Sequence, residues 1–332
     1  MDKLPNEDIL KQHNKVRFFI YKLLDEYLIW LIVIILMLVI TIFMRQFFTL
    51  SNILDLILNS SILGILVIAE CLCLLIGKFD LSIESTLGIS ALIGGFLSVN
   101  LGFNPVIAWF IALISGLLIG FFNGIMIVKV GVNPFLQTLA MLVILRGFMI
   151  TISGGYPIYP LPNFFLAFGA SKISVIPTPV VIVILMFIFF SIILQRRPFG
   201  RILYIVGSNP NTAFASGINV DKINIIVFTL SGLIAAFAGL VFAGRLESVP
   251  MTIGKGMIFE VFAAAVLGGV SLSGGKGNLL GALGGVMFLG IVSSILTWFG
   301  VGVFAVEAVR GGFILLAVVL DAIKNKYRLS IA

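Results

Sequence analysis

The chain has 332 residues, of which 60% are hydrophobic and 11% charged, with a formal net charge of +7 and a mean hydropathy of +1.22. A soluble domain carries about 25% charged residues and about 45–50% apolar ones. That contrast excludes a soluble enzyme, a disordered chain and a nucleic-acid binder, and makes this an all-α polytopic membrane protein. The single histidine, His13, lies in a polar N-terminal tail, and the two cysteines, Cys71 and Cys73, sit inside an apolar run. Residues two apart on a helix point to different faces, so these thiols cannot bridge each other and read as apolar fillers.

A spanning helix needs about 20 mostly apolar residues. Ten segments qualify: 28–44, 56–77, 83–101, 105–128, 133–152, 174–194, 225–243, 258–270, 279–298 and 303–320. The first follows a polar tail, 1–27, and lacks a small-residue cleavage site after it, so it is expected to be a retained helix and not a removable signal. With the N-terminus inside, fifteen of the 21 basic residues fall in inside segments. Four (Arg45, Lys172, Arg245 and Lys255) fall outside, and Arg146 and Arg310 lie within spans. Basic residues concentrate on the cytoplasmic side, so both termini, including the tail 322–332, are expected there.

Along the membrane part, 28–321, Gly116, Gly120 and Gly124 recur every four residues in the fourth span. That spacing offers backbone for close helix approach. Gly232, Ala235, Ala236, Gly239 and Ala243 make a similar stripe in the seventh span, and Gly281 and Gly285 in the ninth. The loop Leu75–Ser82 aligns weakly with Val266–Ser273, each being followed by a helix rich in small residues. The match hints at an internal repeat of the kind common in transporters.

Two non-membrane segments are long enough to do work. The outside loop 153–173 carries Tyr156, Pro157, Tyr159, Pro160 and Pro162, and reads as a lid, a docking site or a tether. The inside segment 195–224 begins with Arg196, Arg197 and Arg201, a membrane-surface anchor, and then offers a punctuated helix. Asn209 suits an N-cap, Pro210 the first helical position and Gly217 the position past the end. Two turns are marginal in water, and the one large apolar side chain between these signals is Phe214. A short capped helix with an apolar side chain is expected to dock on another protein.

Ionisable groups within spans are functional candidates. Glu307 and Arg310, three apart, can pair on one helix. Glu70 and Arg146 have no partner visible in sequence, whereas Asp80, Glu84 and Glu260 lie at span ends where snorkelling to water costs little. The run Gly269–Lys276 fails the phosphate-loop pattern because its lysine is one position late. No His-Glu-x-x-His pair or Gly-x-Ser-x-Gly elbow occurs, so no catalytic, metal or cofactor site is expected in this chain.

Taken together, these segments resemble the membrane permease of ABC-type sugar importers, the ribose, xylose and galactose group, over about residues 60–321. The resemblance rests on Phe79-Asp80-Leu81-Ser82; on Phe122-Asn123-Gly124, Asn133-Pro134-Phe135 through Thr138-Leu139, and Leu145-Arg146-Gly147; on Phe199-Gly200-Arg201, Gly207-Ser208-Asn209 and Ser216-Gly217-Ile218-Asn219-Val220; and on Gly268 through Gly277. It implies a plasma-membrane transport subunit and not an enzyme. Two permease chains, identical or related, would form the pore in the lipid bilayer. ATPase subunits would dock on the cytoplasmic loop, and an extracytoplasmic binding protein would deliver the sugar. The resemblance places ATPase coupling on Arg201, Gly207, Asn209, Pro210, Phe214, Ser216 and Gly217. It places the substrate pathway or gating on Asp80, Ser82, Asn123, Gln137, Thr138, Arg146, Ser271 and Ser273. Lys78, Glu84, Phe214 and Glu260 differ from the family's usual residues. The branched-chain amino-acid permeases share the Ser-Gly-Ile-Asn-Val loop and are the alternative within transporters, with a stand-alone secondary transporter as the alternative outside them.

Overall fold

A computed structural model describes residues 28–43, 49–302 and isolated positions between 305 and 319. The N-terminal tail with His13, Arg45, the Glu307 and Arg310 pair, and the C-terminal tail lie outside the described residues. The described chain is helical apart from one two-residue hairpin. Its elements are α1 (Leu28–Phe43), α2 (Leu50–Leu75), α3 (Ile83–Val99), α4 (Pro105–Ile125) continued by a π-helical turn (Met126–Val130), α5 (Pro134–Ser153), α6 (Asn163–Gly169), β1 (Lys172–Ile173), β2 (Ile176–Pro177), α7 (Thr178–Arg196), α8 (Pro198–Ser208), α9 (Pro210–Ala215), α10 (Val220–Leu246), α11 (Met257–Leu267) and α12 (Leu279–Trp298).

Among the described residues, six helices are long and apolar enough to cross a membrane: α2, α4 with its π turn, α5, α7, α10 and α12. Three shorter apolar helices, α1, α3 and α11, account for three more of the expected segments. The tenth, 303–320, falls largely outside the described residues. The eleven residues of α11 extend about 16 Å, roughly half of a hydrocarbon core. The segment before it, 250–256, therefore runs at membrane depth as irregular backbone, which is tolerated only where protein or water covers it.

Short polar residues start the helices. Asn104, Asn133 and Asn209 each accept hydrogen bonds from backbone N–H groups of the following turn, and each is followed by proline. This combination satisfies otherwise orphaned donors and presets the first helical φ. The centre of the molecule is α2, 83% buried across its most apolar window, against 22% for α5. The exposed side of α5 is apolar, with Leu136, Val143, Ile144 and Phe148 open to the surroundings, as lipid or a second apolar surface requires.

Glycine sets the closest helix approaches. Gly116 and Gly120 of α4 lie against Gly232 and Phe228 of α10 so closely that a Cβ on either would run into a backbone carbonyl oxygen. Gly124 lies against the Ile225 backbone, and Gly281 and Gly285 of α12 lie against Gly268 and Ala264. Cys71 and Cys73 are free and buried in α2. The 153–173 loop contains α6, whose Phe164 and Phe168 pack around Trp109 of α4.

The two segments of the expected repeat each form the break after a helix. Each follows a helix end, α2 or α11, but the aligned glycines differ, Gly77 having φ +70° and Gly268 φ −72°, with the positive-φ glycine of the second break one position later at Gly269. The two breaks also meet, because a Cβ on Gly274 would come within 2.8 Å of the Gly77 Cα.

Candidate functional site

The break between α2 and α3 carries a buried polar network. Asp80 Oδ1 accepts from the Ser82 N–H at 3.1 Å and the Ser82 hydroxyl at 2.5 Å. Asp80 Oδ2 accepts from the Ser231 hydroxyl of α10 at 2.9 Å. Asn123 Nδ2 of α4 donates to Ser82 Oγ at 2.9 Å, and Gln137 Nε2 of α5 donates to Asn123 Oδ1 at 3.2 Å. Glu70 of α2 approaches from the other side, its Oε1 accepting the Asp80 N–H at 3.4 Å. All six residues are buried. The network joins α2, α4, α5 and α10 through one loop, with Glu70 Oε2 its one side-chain oxygen left buried without a hydrogen-bond partner.

Asp80 and Glu84 were expected at span ends within reach of water, and the structure corrects both. Asp80 is 1% exposed and Glu84 4%. The end of α2 lies inside the protein, where α4, α10 and α11 cover the loop, so no path to solvent is available to short side chains. Glu84 instead meets Arg146, with Nη2 3.1 Å from Oε1. Arg146 also donates to the Ile253 carbonyl at 3.0 Å, and Glu84 Oε2 accepts the Ile258 N–H at 3.2 Å.

The remaining pathway residues sit elsewhere. Thr138 donates to the Pro134 carbonyl of its own helix at 2.8 Å. The Ser271 and Ser273 hydroxyls lie 2.8 Å apart and satisfy each other within the glycine-rich turn. The network residue that sequence reading missed is Ser231. A lone serine in an apolar span gives no signal of its own, although its neighbour Gly232 belongs to the small-residue stripe.

A second cluster lies at the end of the molecule where Lys129 meets Asp221 at 3.9 Å. The short helix α9 spans Pro210–Ala215, Asn209 Oδ1 accepts from Asn211 N–H at 3.0 Å and Thr212 N–H at 3.1 Å, and Gly217 has φ +81°. Phe214 is 74% exposed, a large apolar side chain facing outward from the protein. Arg201 and Ser216 are exposed beside it.

Contacts of α8, which leads directly into α9, seat it on both breaks. Gly207, at the end of α8, lies against the Leu75 carbonyl and the Gly275 N–H, and Gly275 N–H donates to the Leu75 carbonyl at 2.9 Å. The Tyr204 hydroxyl donates to the Gly277 carbonyl at 2.8 Å. Burial pushes the Tyr204 phenol up from its ordinary value, which keeps it a donor. A displacement of α9 would therefore reach the α2–α3 break and the α11–α12 break together.

Residues 52–319 match the family described as the branched-chain amino acid transport system / permease component. The chain belongs to this permease family. It is 36% identical over 293 residues to the ribose import permease protein RbsC of Bacillus subtilis (strain 168), covering 88% of this chain and 91% of that one. It is 33% identical over 309 residues to RbsC of Escherichia coli (strain K12), covering 92% and 96%. It is 29% identical over 324 residues to the L-arabinose ABC transporter permease protein AraH of Azospirillum brasilense, covering 98% and 95%. No solved structure matches the chain. The permease is a membrane-embedded transport component and not an enzyme.

Proposed function

We propose that this permease is the membrane subunit of an ATP-driven sugar importer, carrying a pentose or a related sugar delivered by an extracytoplasmic binding protein. The observation that carries the reading is the seating of α9. A two-turn capped helix with an exposed Phe214 rests, through Gly207 and Tyr204, on the two glycine-rich breaks. The basic end of the molecule is then cytoplasmic, and α9 is the coupling helix on which an ATPase subunit docks. Closure of the ATPases presses on α9, α8 transmits the push by backbone contact, and the breaks tilt α3 and α12.

The buried network has a stated part in this cycle. Hydroxyl and amide groups can exchange partners between two packings without leaving a charge stranded, so Ser82, Asn123, Gln137 and Ser231 allow α4, α5 and α10 to shift about Asp80. The relatives named for ribose and arabinose import support a pentose. The pore requires a second permease chain, for which the exposed apolar side of α5 is suited.

Uptake tests the substrate. Cells lacking the chain are compared with cells expressing it, using radiolabelled ribose, arabinose, xylose, galactose and leucine. Chain-dependent, ATP-dependent accumulation of one of the sugars is expected. Accumulation of leucine alone, or sugar flux that persists without any ATPase, would overturn the reading.

A further inference from the structure

The segment between α10 and α11 enters the molecule beside the last two turns of α5, at the end opposite the basic residues of α8. Val249 and Ile158 bridge backbone to backbone. Deeper, the Ser153 hydroxyl contacts Met251 Sδ at 2.9 Å. Deeper again, Arg146 holds the Ile253 carbonyl and Glu84 holds the Ile258 N–H. Ile253 itself is 2% exposed. Gly239 of α10 lies level with Leu87, the next turn of α3 after Glu84, and is seven residues from Leu246, so Leu87 lies about 10 Å and Glu84 about 15 Å below the end of α10.

We propose that Glu84 and Arg146 form the latch of the outer gate, with the segment Ile253–Ile258 as the gate. The two side chains hold that segment from both ends while also binding each other. The segment's first part, Ile253–Gly256, turns on Gly254 and Gly256, both of positive φ, and leads directly into the first turn of α11. Glu84 further stabilises the N-terminus of α11, where unpaired backbone N–H groups carry partial positive charge. Parting the pair releases the Ile253 carbonyl and the Ile258 N–H together, so α3, α5 and α11 separate in one step and a path opens from the outer surface. Closed, both charges are paired; half-open, a charge is left stranded, which disfavours intermediate states. The inference rests on the importer reading for the gate's purpose, but its test does not depend on transport.

Ile253→Cys in a Cys71→Ala, Cys73→Ala background supplies one thiol behind the latch. Intact cells are treated with a membrane-impermeant maleimide. The thiol is expected to react slowly with Glu84 and Arg146 present, and roughly tenfold or more faster after Glu84→Gln, as an open population rises. Gln keeps a carbonyl for the Ile258 N–H but leaves Arg146 without its carboxylate, so this variant is expected to lose some stability. Arg146→Lys with Glu84 intact keeps the charge and is expected to label at a rate between those of the unaltered latch and Glu84→Gln. A double variant, Glu84→Gln with Arg146→Met, separates latch from scaffold: it is expected to recover membrane level and thermal stability while labelling stays fast. Equal labelling rates in all variants would overturn the proposal, as would slow labelling in the double variant or labelling only in inverted vesicles. Loss of sugar uptake with unchanged labelling would leave the importer reading standing and remove the latch.

Discussion

Gly207 lies so close to Leu75 that a Cβ would overlap the Leu75 carbonyl oxygen. The contact joins the last turn of α8 to the last turn of α2 with no side chain between them. Side chains absorb small displacements by changing rotamer, whereas backbone in contact with backbone cannot. In the proposed cycle, a push on α9 would reach α2 and the Gly275 turn through this contact at the end of α8.

Gly207→Ala tests that junction. Overpacking of a close contact costs about 1–3 kcal/mol, and here the obstructing atoms are backbone. The variant is expected to reach the membrane with a lowered melting temperature in detergent and to lose most sugar uptake. Uptake at the level of the unaltered chain would show that α8 can lift off α2 without consequence.

Gly120→Leu addresses the crossing of α4 and α10. Its Cβ would overlap the Phe228 carbonyl, so the helices must separate along their length. Membrane accumulation is expected to fall severalfold. Gly147→Ala on α5 is the control, because nothing lies within 4 Å of its Cβ position. That change is expected to leave accumulation intact, and quantitative immunoblotting of membranes reads both.

Asn123→Ala removes the bridge between Ser82 and Gln137 and leaves buried polar groups without partners. Such orphans cost about 1–3 kcal/mol each. A lower melting temperature is expected, with at least as large an effect for Ser231→Ala, which takes the hydroxyl partner from Asp80 Oδ2 while both Ser82 contacts go to Oδ1. Equal stability of Asn123→Ala and the unaltered chain would mean that water replaces the amide.

Much of the fold was legible because its signals are local. Asn209, Pro210 and Gly217 mark the bounds of α9 to within one residue, since capping chemistry depends only on neighbours in sequence. The spans follow from apolar length, and the glycine spacing in α4 reports a helix face. What was not legible depends on which helices become neighbours. Arg146 showed no partner because Glu84 lies 62 positions away and is brought to it only by the packing of α3 on α5. Asp80 and Glu84 were expected near water because their helix ends there, but that end is enclosed by α10 and α11. Ser231 carried no pattern at all until Asp80 lay beside it.

The most direct measurement of the central claim uses Phe214→Asp. The side chain is exposed and outside the core, so the chain is expected to fold and reach the membrane at its usual level. Purification in mild detergent from the native cell, with co-purifying proteins identified by mass, then reads ATPase binding. A Walker-motif ATPase in stoichiometric amount with the unaltered chain, lost together with sugar uptake after Phe214→Asp, is the predicted result. Undiminished ATPase binding and uptake in the variant would contradict the assignment of α9 as the coupling helix.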